Sequence, residues 1–207
     1  MQNNQVTAYP GKRTFDIIIS FCGIIVVLPL LIASAILVKV SSKGPVIYRQ
    51  QRIGRNFNPF LIYKFRTMRQ NSDADGNTCT IKGDPRVTPV GRFLRKTKMD
   101  ELPQLFNVIT GDMSLVGPRP EVERYVQMFR SDYAEILRVR PGITDYAAIE
   151  YRDEETILAG YEDHEKAYRE EILPAKIRLY RKYLENISFS TDLRILLSTV
   201  WRVLGVS

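Results

Sequence analysis

Apolar residues are spread in three different ways along this chain. From Phe15 to Val40 they run almost unbroken, and Ile17 to Val38 carries no charge over 22 residues. At about 1.5 Å per residue, a helix of that length crosses a hydrocarbon core of about 30 Å. Pro29 lies near its middle and lacks an amide donor, so a kink or break is expected there. After Gly44-Pro45, "VIYRQQRIG" and "FNPFLIYKFRTM" are short runs that predict the two strands of a hairpin. The remaining segments carry helical spacing. "VGRFLRKT" and "ELPQLFNVIT" predict short helices, the second stopping at Gly111. "RPEVERYVQMFRSDYAEILRV" predicts one helix ending before Pro141-Gly142. "EETILAGYEDHEKAYREEILPAKIRLYRKYLEN" predicts one or two polar helices interrupted near Pro174. "RQNSDADGNTCTIKGDPRVTP" is polar and rich in turn formers, and reads as a long surface loop.

The fold class expected is therefore mostly α with a small β-hairpin. At 207 residues the chain suits one domain with an appendage. Residues 1–40 form the apolar N-terminal region, residues 41–187 the main body, and residues 188–207 a final amphipathic helix. In that last segment Leu193, Leu196, Leu197, Val200, Trp201 and Leu204 share one face, with Arg194 and Arg202 off it. Such a face packs on a core or lies in a membrane interface, with Trp201 at headgroup depth.

Charge sharpens this picture. The net charge is +7, and residues 1–70 hold ten of the 30 Lys and Arg but only Asp16 of the 23 acidic residues. A basic N-terminal third points to an anionic partner, either membrane phospholipid or nucleic acid. A nucleic-acid binder would need a groove-entering helix or base-stacking aromatics; here the basic residues border the apolar run instead, which disfavours nucleic acid. Lys12 and Arg13 precede that run and Lys39, Lys43, Arg49 and Arg52 follow it, so the positive-inside rule names no inside. Spanning and re-entrant arrangements both fit. Cys22 and Cys79 lie in unlike contexts, which argues against a disulfide and for a reducing compartment. The single histidine, His164, sits in a polar stretch, which argues against histidine triads and histidine-rich zinc sites.

The candidate chemistry lies in "KTKMDELPQLFNVITGDMSLVGPRP", residues 96–120. Asp100 and Glu101 adjoin the start of a predicted helix over Leu102 to Ile109, where an aspartate is also a good cap. Arg92, Arg95, Lys96 and Lys98 lie just upstream and Arg119 follows. Carboxylates ringed by guanidinium groups suit chemistry on a phosphoryl group. Arginine forks bind phosphate oxygens, and a hard divalent cation joins carboxylate to phosphate. An ionised aspartate can also attack phosphorus directly.

With "KRTFD", "GPVIYRQQRIGRN", "YKFRTM", "MDELPQLFNVITGDMSLVGPRP" and "VRPGIT" in this order, the chain resembles the monotopic phosphoglycosyl transferases, the bacterial sugar transferase family, over about residues 12–206. The resemblance implies transfer of a sugar 1-phosphate from a UDP-sugar to undecaprenyl phosphate, with release of UMP, on the cytoplasmic face of the bacterial inner membrane. It implies a monotopic protein, with a re-entrant helix broken at Pro29 and amphipathic helices at the membrane interface. It makes Asp100 the nucleophile, places Mg²⁺ at Asp100 and Glu101, and assigns Lys64, Arg95, Arg119 and Arg152 to substrate binding. Two departures stand out. Leu28-Pro29 replaces the family's Ser-Pro, and "DYAAIEYRDEE" replaces a Gly-Trp and later Gly-Arg, so Arg152 matches by position alone. A membrane-anchored adaptor with a basic surface also fits the charge and the anchor, but gives the Asp-Glu block no purpose.

Overall fold

The computed structural model describes residues 8–69 and 80–203. Its helices are α1 (Lys12–Ser41), α2 (Pro89–Lys96), α3 (Gln104–Thr110), α4 (Glu123–Met128), α5 (Arg130–Ile136), α6 (Tyr146–Glu150), α7 (Glu154–Leu158), α8 (His164–Ala167), α9 (Leu173–Glu185) and α10 (Phe189–Val203). Its strands are β1 (Ile47–Ile53), β2 (Pro59–Phe65), β3 (Ser114–Val116) and β4 (Gly142–Thr144). The mostly helical class and the hairpin are as expected: β1 and β2 pair antiparallel, Ile47 opposite Phe65 and Ile53 opposite Pro59. Residues 70–79 of the expected surface loop, Cys79 among them, lie outside the described residues, as does Leu204.

The structure corrects several boundaries. Where one helix was expected before Pro141, Phe129 leaves helical geometry (φ −111°, ψ 39°) and separates α4 from α5. Pro174 lies in a helical run that is continuous from His164 to Glu185, and the interruption expected near it is present. The irregularity lies just before it, a π-turn at Tyr168–Ile172. The parallel pair of β3 and β4 was not expected, because three residues are too short to show alternation.

The apolar N-terminal segment forms one 30-residue helix that runs through Pro29, where a break between two arms was expected. A proline removes one donor from the ladder, and the bonds on either side persist where packing supports them. Both ends of α1 are fastened to the same body. At its start, Lys12 pairs with Asp192 of α10 and donates to the Val116 carbonyl at 3.1 Å. Asp16 accepts from Ser114 Oγ at 2.8 Å and the Leu115 amide at 3.2 Å. Arg13 donates to the Val108 and Ile109 carbonyls at 2.6 and 2.9 Å, satisfying the C-terminal end of α3. At the other end, Val38 packs with Phe65 and Leu94, and buried Arg66 donates to Ser42 O at 2.7 Å and Ser42 Oγ at 3.0 Å.

Several basic residues read from sequence as membrane-facing are thus spent on internal carbonyls and carboxylates. Lys39, Lys43 and Arg49 remain exposed. So does the outer face of α1, including Ile18, Phe21, Ile25, Val26, Leu28 and Ile36. Only 17% of the most apolar stretch of this helix is buried in protein. Of the predicted apolar face of α10, Leu196 packs against the core while Leu193, Leu197, Val200 and Trp201 are exposed; the residue of this helix buried in the core is Ile195, which was not read as part of that face.

Candidate active site

Four segments meet around the Asp-Glu pair. Lys64 comes from the end of β2 and Arg95 from the last turn of α2. Gly91 lets these two elements approach, since a Cβ there would lie 2.0 Å from the Thr67 carbonyl oxygen. Thr88 caps α2 by accepting from the Gly91 amide at 2.9 Å. The chain then reverses at Lys98, which adopts a left-handed conformation (φ 57°), and enters a single 3₁₀ turn, Met99–Glu101.

Asp100 and Glu101 therefore precede α3 rather than cap it. Residue Pro103 occupies the cap position of α3, and no side chain caps that end. The expected capping role for Asp100 is absent. Its residue is 7% exposed, and its Oδ1 has no hydrogen-bond partner among the described residues. Burial, with the Glu101 charge added, pushes the Asp100 carboxyl up to about 6, against the opposing charges of Lys64, Arg95 and Lys98.

Glu101 is the contrary case. Its Oε1 accepts from Lys64 Nζ at 3.2 Å and from Arg119 Nη2, while Oε2 accepts from Arg119 Nη1 at 3.1 Å. Burial works to raise its carboxyl, but the Arg119 and Lys64 charges and the Arg119 fork outweigh it and hold Glu101 well below the usual range. Burial in turn lowers Lys64, with Glu101 opposing, and the Glu101 charge raises Arg119. Two adjacent carboxylates thus have opposed environments. One is clamped and ionised, and the other is buried and unclaimed.

Arg119 reaches this point from the Gly117–Pro120 loop after β3, which is held by a tight backbone crossing. Gly117 N donates to Thr144 O and Gly142 N to Pro118 O, each at 3.0 Å. A Cβ on Gly142 would lie 2.1 Å from Gly117 N, so the two motifs "LVGPRP" and "RPGIT" dock through glycine. Asp145 completes the support. It is buried and accepts from the Arg119 amide at 3.1 Å and the Ala148 amide at 2.6 Å. Burial raises its carboxyl to about 6, despite those bonds and the Arg119 charge.

The structure joins Glu101, Lys64 and Arg119 in one bonded group, with Asp100 next to it in the chain and Lys64 and Arg95 close enough for their charges to act on Asp100. It gives Arg95 a partner that sequence reasoning missed: Glu155 of α7 accepts from Arg95 Nε at 2.8 Å and forms an ion pair with it. It places Arg152 elsewhere, donating to the Arg202 carbonyl in α10. Asp145 was likewise missed; its only signal was that it stands where the family pattern has glycine.

Among the described residues, no cluster of three or more His, Cys, Asp or Glu side chains converges on a metal site. The Asp-Glu pair suits a different demand. Magnesium binds through one or two carboxylates together with substrate phosphates. Asp100 Oδ1 is a hard oxygen without a partner among the described residues, and Glu101 lies next to it in the chain.

Comparison with known proteins agrees with the sequence resemblance. The family model described as bacterial sugar transferase matches residues 7–206. The chain is 39% identical over 196 residues to a UDP-N-acetylgalactosamine-undecaprenyl-phosphate N-acetylgalactosaminephosphotransferase of Aeromonas hydrophila, covering 93% of this chain and 43% of that protein. It is 40% identical over 195 residues to a UDP-glucose:undecaprenyl-phosphate glucose-1-phosphate transferase of Klebsiella pneumoniae, covering 92% of this chain and 39% of that protein. The chain thus spans about two fifths of the length of these two relatives. Against the exopolysaccharide production protein PSS of Rhizobium leguminosarum bv. phaseoli it is 38% identical over 196 residues, covering 91% of this chain and 92% of that one. With its Asp-Glu turn, Pro-Arg-Pro loop and apolar helix matched along nearly the whole length, this chain belongs to the bacterial sugar transferase family.

Proposed function

We propose that this chain is a phosphoglycosyl transferase that moves a sugar 1-phosphate from a UDP-sugar to undecaprenyl phosphate, releasing UMP and starting a bacterial glycoconjugate. The observation that carries this reading is the Asp100 carboxylate, buried and without a partner among the described residues, beside a carboxylate already neutralised by Arg119 and Lys64. A structural carboxylate at that depth would be hydrogen-bonded. One held without a bond is suited to forming one with a substrate.

In the first displacement, a carboxylate oxygen of Asp100 attacks the sugar-linked phosphorus. The bond from that phosphorus to the bridging oxygen breaks, and UMP leaves with the oxygen. In the second, a phosphate oxygen of undecaprenyl phosphate attacks the same phosphorus, and the Asp100 carboxylate is released. Lys64, Arg95 and Arg119 supply positive charge to the phosphate oxygens as negative charge shifts among them. Magnesium, for which Asp100 and Glu101 would be the ligands, would supply charge neutralisation when bound. Arg152, bonded to α10, is left outside this phosphate-binding group.

The same reading puts the protein on the cytoplasmic face of the inner membrane, where UDP-sugars are found. A helix that crossed the bilayer would carry one end away from the body. Here Lys12 and Asp16 at one end and Val38 and Ser42 at the other are bonded to or packed on it. That double attachment supports a monotopic, re-entrant arrangement with the apolar outer face of α1 in lipid. Phospholipid at the exposed faces of α1 and α10, and the division at residues 40 and 187, belong to this proposal.

Purified protein given UDP-sugars and Mg²⁺ should release up to one UMP per active site before any acceptor is added. Undecaprenyl phosphate should then start turnover. A non-enzymatic adaptor would release no UMP, and strict dependence of the first UMP on acceptor would replace the covalent route with direct attack.

A further inference from the structure

We infer that Glu155 is the positioning residue for Arg95, holding its guanidinium at the angle at which it meets the phosphate of the donor. This rests on the proposed donor site. Arg95 is pinned on two sides: its Nε donates to Glu155 Oε1 at 2.8 Å and its Nη1 approaches Thr67 Oγ1 at 3.4 Å. Thr67 is buried and fixed by the close packing of Gly91. Glu155 is itself well supported. Its carbonyl accepts from the Lys82 amide at 3.1 Å. The neighbouring Glu154 pairs with Lys176, a buried lysine whose ammonium lies 5.1 Å from the Tyr168 ring centroid. Thus α7 is anchored independently of Arg95, and its second residue reaches across to the arginine.

Stability does not account for this pair. The two side chains are 23% and 40% exposed, and ion pairs so exposed add little to folding. Electrostatics alone argues against it, because a carboxylate beside a phosphate-binding arginine repels the ligand. What the carboxylate does provide is orientation. An unheld arginine must order several rotatable bonds each time the ligand binds, and a held one has done so already. Glu155 lies in "DYAAIEYRDEE", the stretch where this chain departs from the family pattern. The departure therefore supplies a part of the site.

Charge removal and loss of positioning have opposite signs, which makes the inference testable. Glu155→Ala should raise the KM for UDP-sugar about 3- to 10-fold, the factor for losing the pre-ordering of one flexible side chain. The kcat, the KM for undecaprenyl phosphate and the melting temperature should stay near those of the unaltered protein. Glu155→Gln keeps an oxygen that accepts the Arg95 N–H groups, and should restore most of the affinity although it carries no charge. In an Arg95→Lys background, Glu155→Ala should have no further effect, because its action runs through the guanidinium. A lower KM in Glu155→Ala would show that the carboxylate merely repels donor, and would overturn the inference. An undiminished effect in the Arg95→Lys background would overturn it too, by giving Glu155 a contact of its own. Calorimetric affinity for UDP is the parallel readout. Protein that binds UDP with this same pattern but releases no UMP would end the proposed transfer reaction and leave the role of Glu155 intact. Unaltered protein that fails to bind UDP would end both.

Discussion

Asp100→Asn should destroy activity and make the protein more stable. The perturbation removes one charge and keeps the side-chain shape. The carboxyl rises from an ordinary 3.8 to about 6 on folding, chiefly through burial, so the fold favours its protonated form. The sign follows from linkage. The penalty is absent below about pH 4, grows between pH 4 and 6, and is complete at neutral pH. About two pH units at about 1.4 kcal/mol each give about 3 kcal/mol against the folded state. The substituted amide escapes that penalty but brings polar atoms into the same poorly bonded position, which returns about 1 kcal/mol. A net gain of about 1–2 kcal/mol remains. For a chain of this size that corresponds to about 2–8 °C in melting temperature. Thermal unfolding in detergent at pH 7.5, with chelator and without nucleotide, measures it, and UMP release from the same sample measures activity. The difference between the two proteins should shrink at pH 4.5. A fall in melting temperature would mean that Asp100 stabilises the turn after all, and full activity would remove it from the chemistry.

Three further outcomes are expected. Arg119→Lys keeps one charge but cannot hold both oxygens of Glu101, and should lower kcat/KM about 10-fold or more, equivalent to about 1.4 kcal/mol. In the metal-free enzyme, donor affinity should have no sharp dependence above pH 7, while single-turnover UMP release at limiting Mg²⁺ should fall below about pH 6 as Asp100 takes up a proton; an acid limb unchanged in Asp145→Asn would assign it to Asp100. Single cysteines at Pro10 and Lys43, both exposed and flanking α1, should be shielded from an impermeant thiol reagent in intact cells once Cys22 and Cys79 are replaced. Labelling of the Pro10 site alone would make α1 a spanning helix.

The Asp-Glu pair was legible as a local turn, Met99–Glu101, whereas Lys64 and Arg119, which bond to Glu101 from 37 and 18 positions away, were reached through the family resemblance. The hairpin is local too, and was legible for that reason. The further partners of these groups were not. Glu155 lies 60 positions from Arg95, and Asp145 lies 26 from Arg119. No periodicity connects them. Charge misled where its use depended on burial. Lys12 and Arg13 read as a basic flank for a membrane segment, yet one pairs with Asp192 and the other completes the end of α3. A cation in a sequence says only that a negative or polar partner exists, not whether that partner is lipid, substrate or another part of the chain. The split of α4 from α5 at Phe129 was hidden because apolar spacing continues across a break that backbone dihedrals reveal.

On the proposed reaction, the Arg66 clasp on the end of α1 bears on how acceptor and enzyme meet. Arg66 follows Lys64 by two residues and grips the Ser42 backbone, so the end of α1 and the strand that carries Lys64 share a fastening rather than a flexible linker. A catalytic body on a loose tether drifts above the bilayer and must find its height anew for every lipid. One clasped in this way takes its height from the helix. The translational and rotational freedom lost in aligning protein with a lipid-borne phosphate is then surrendered once, at insertion, and not at each turnover.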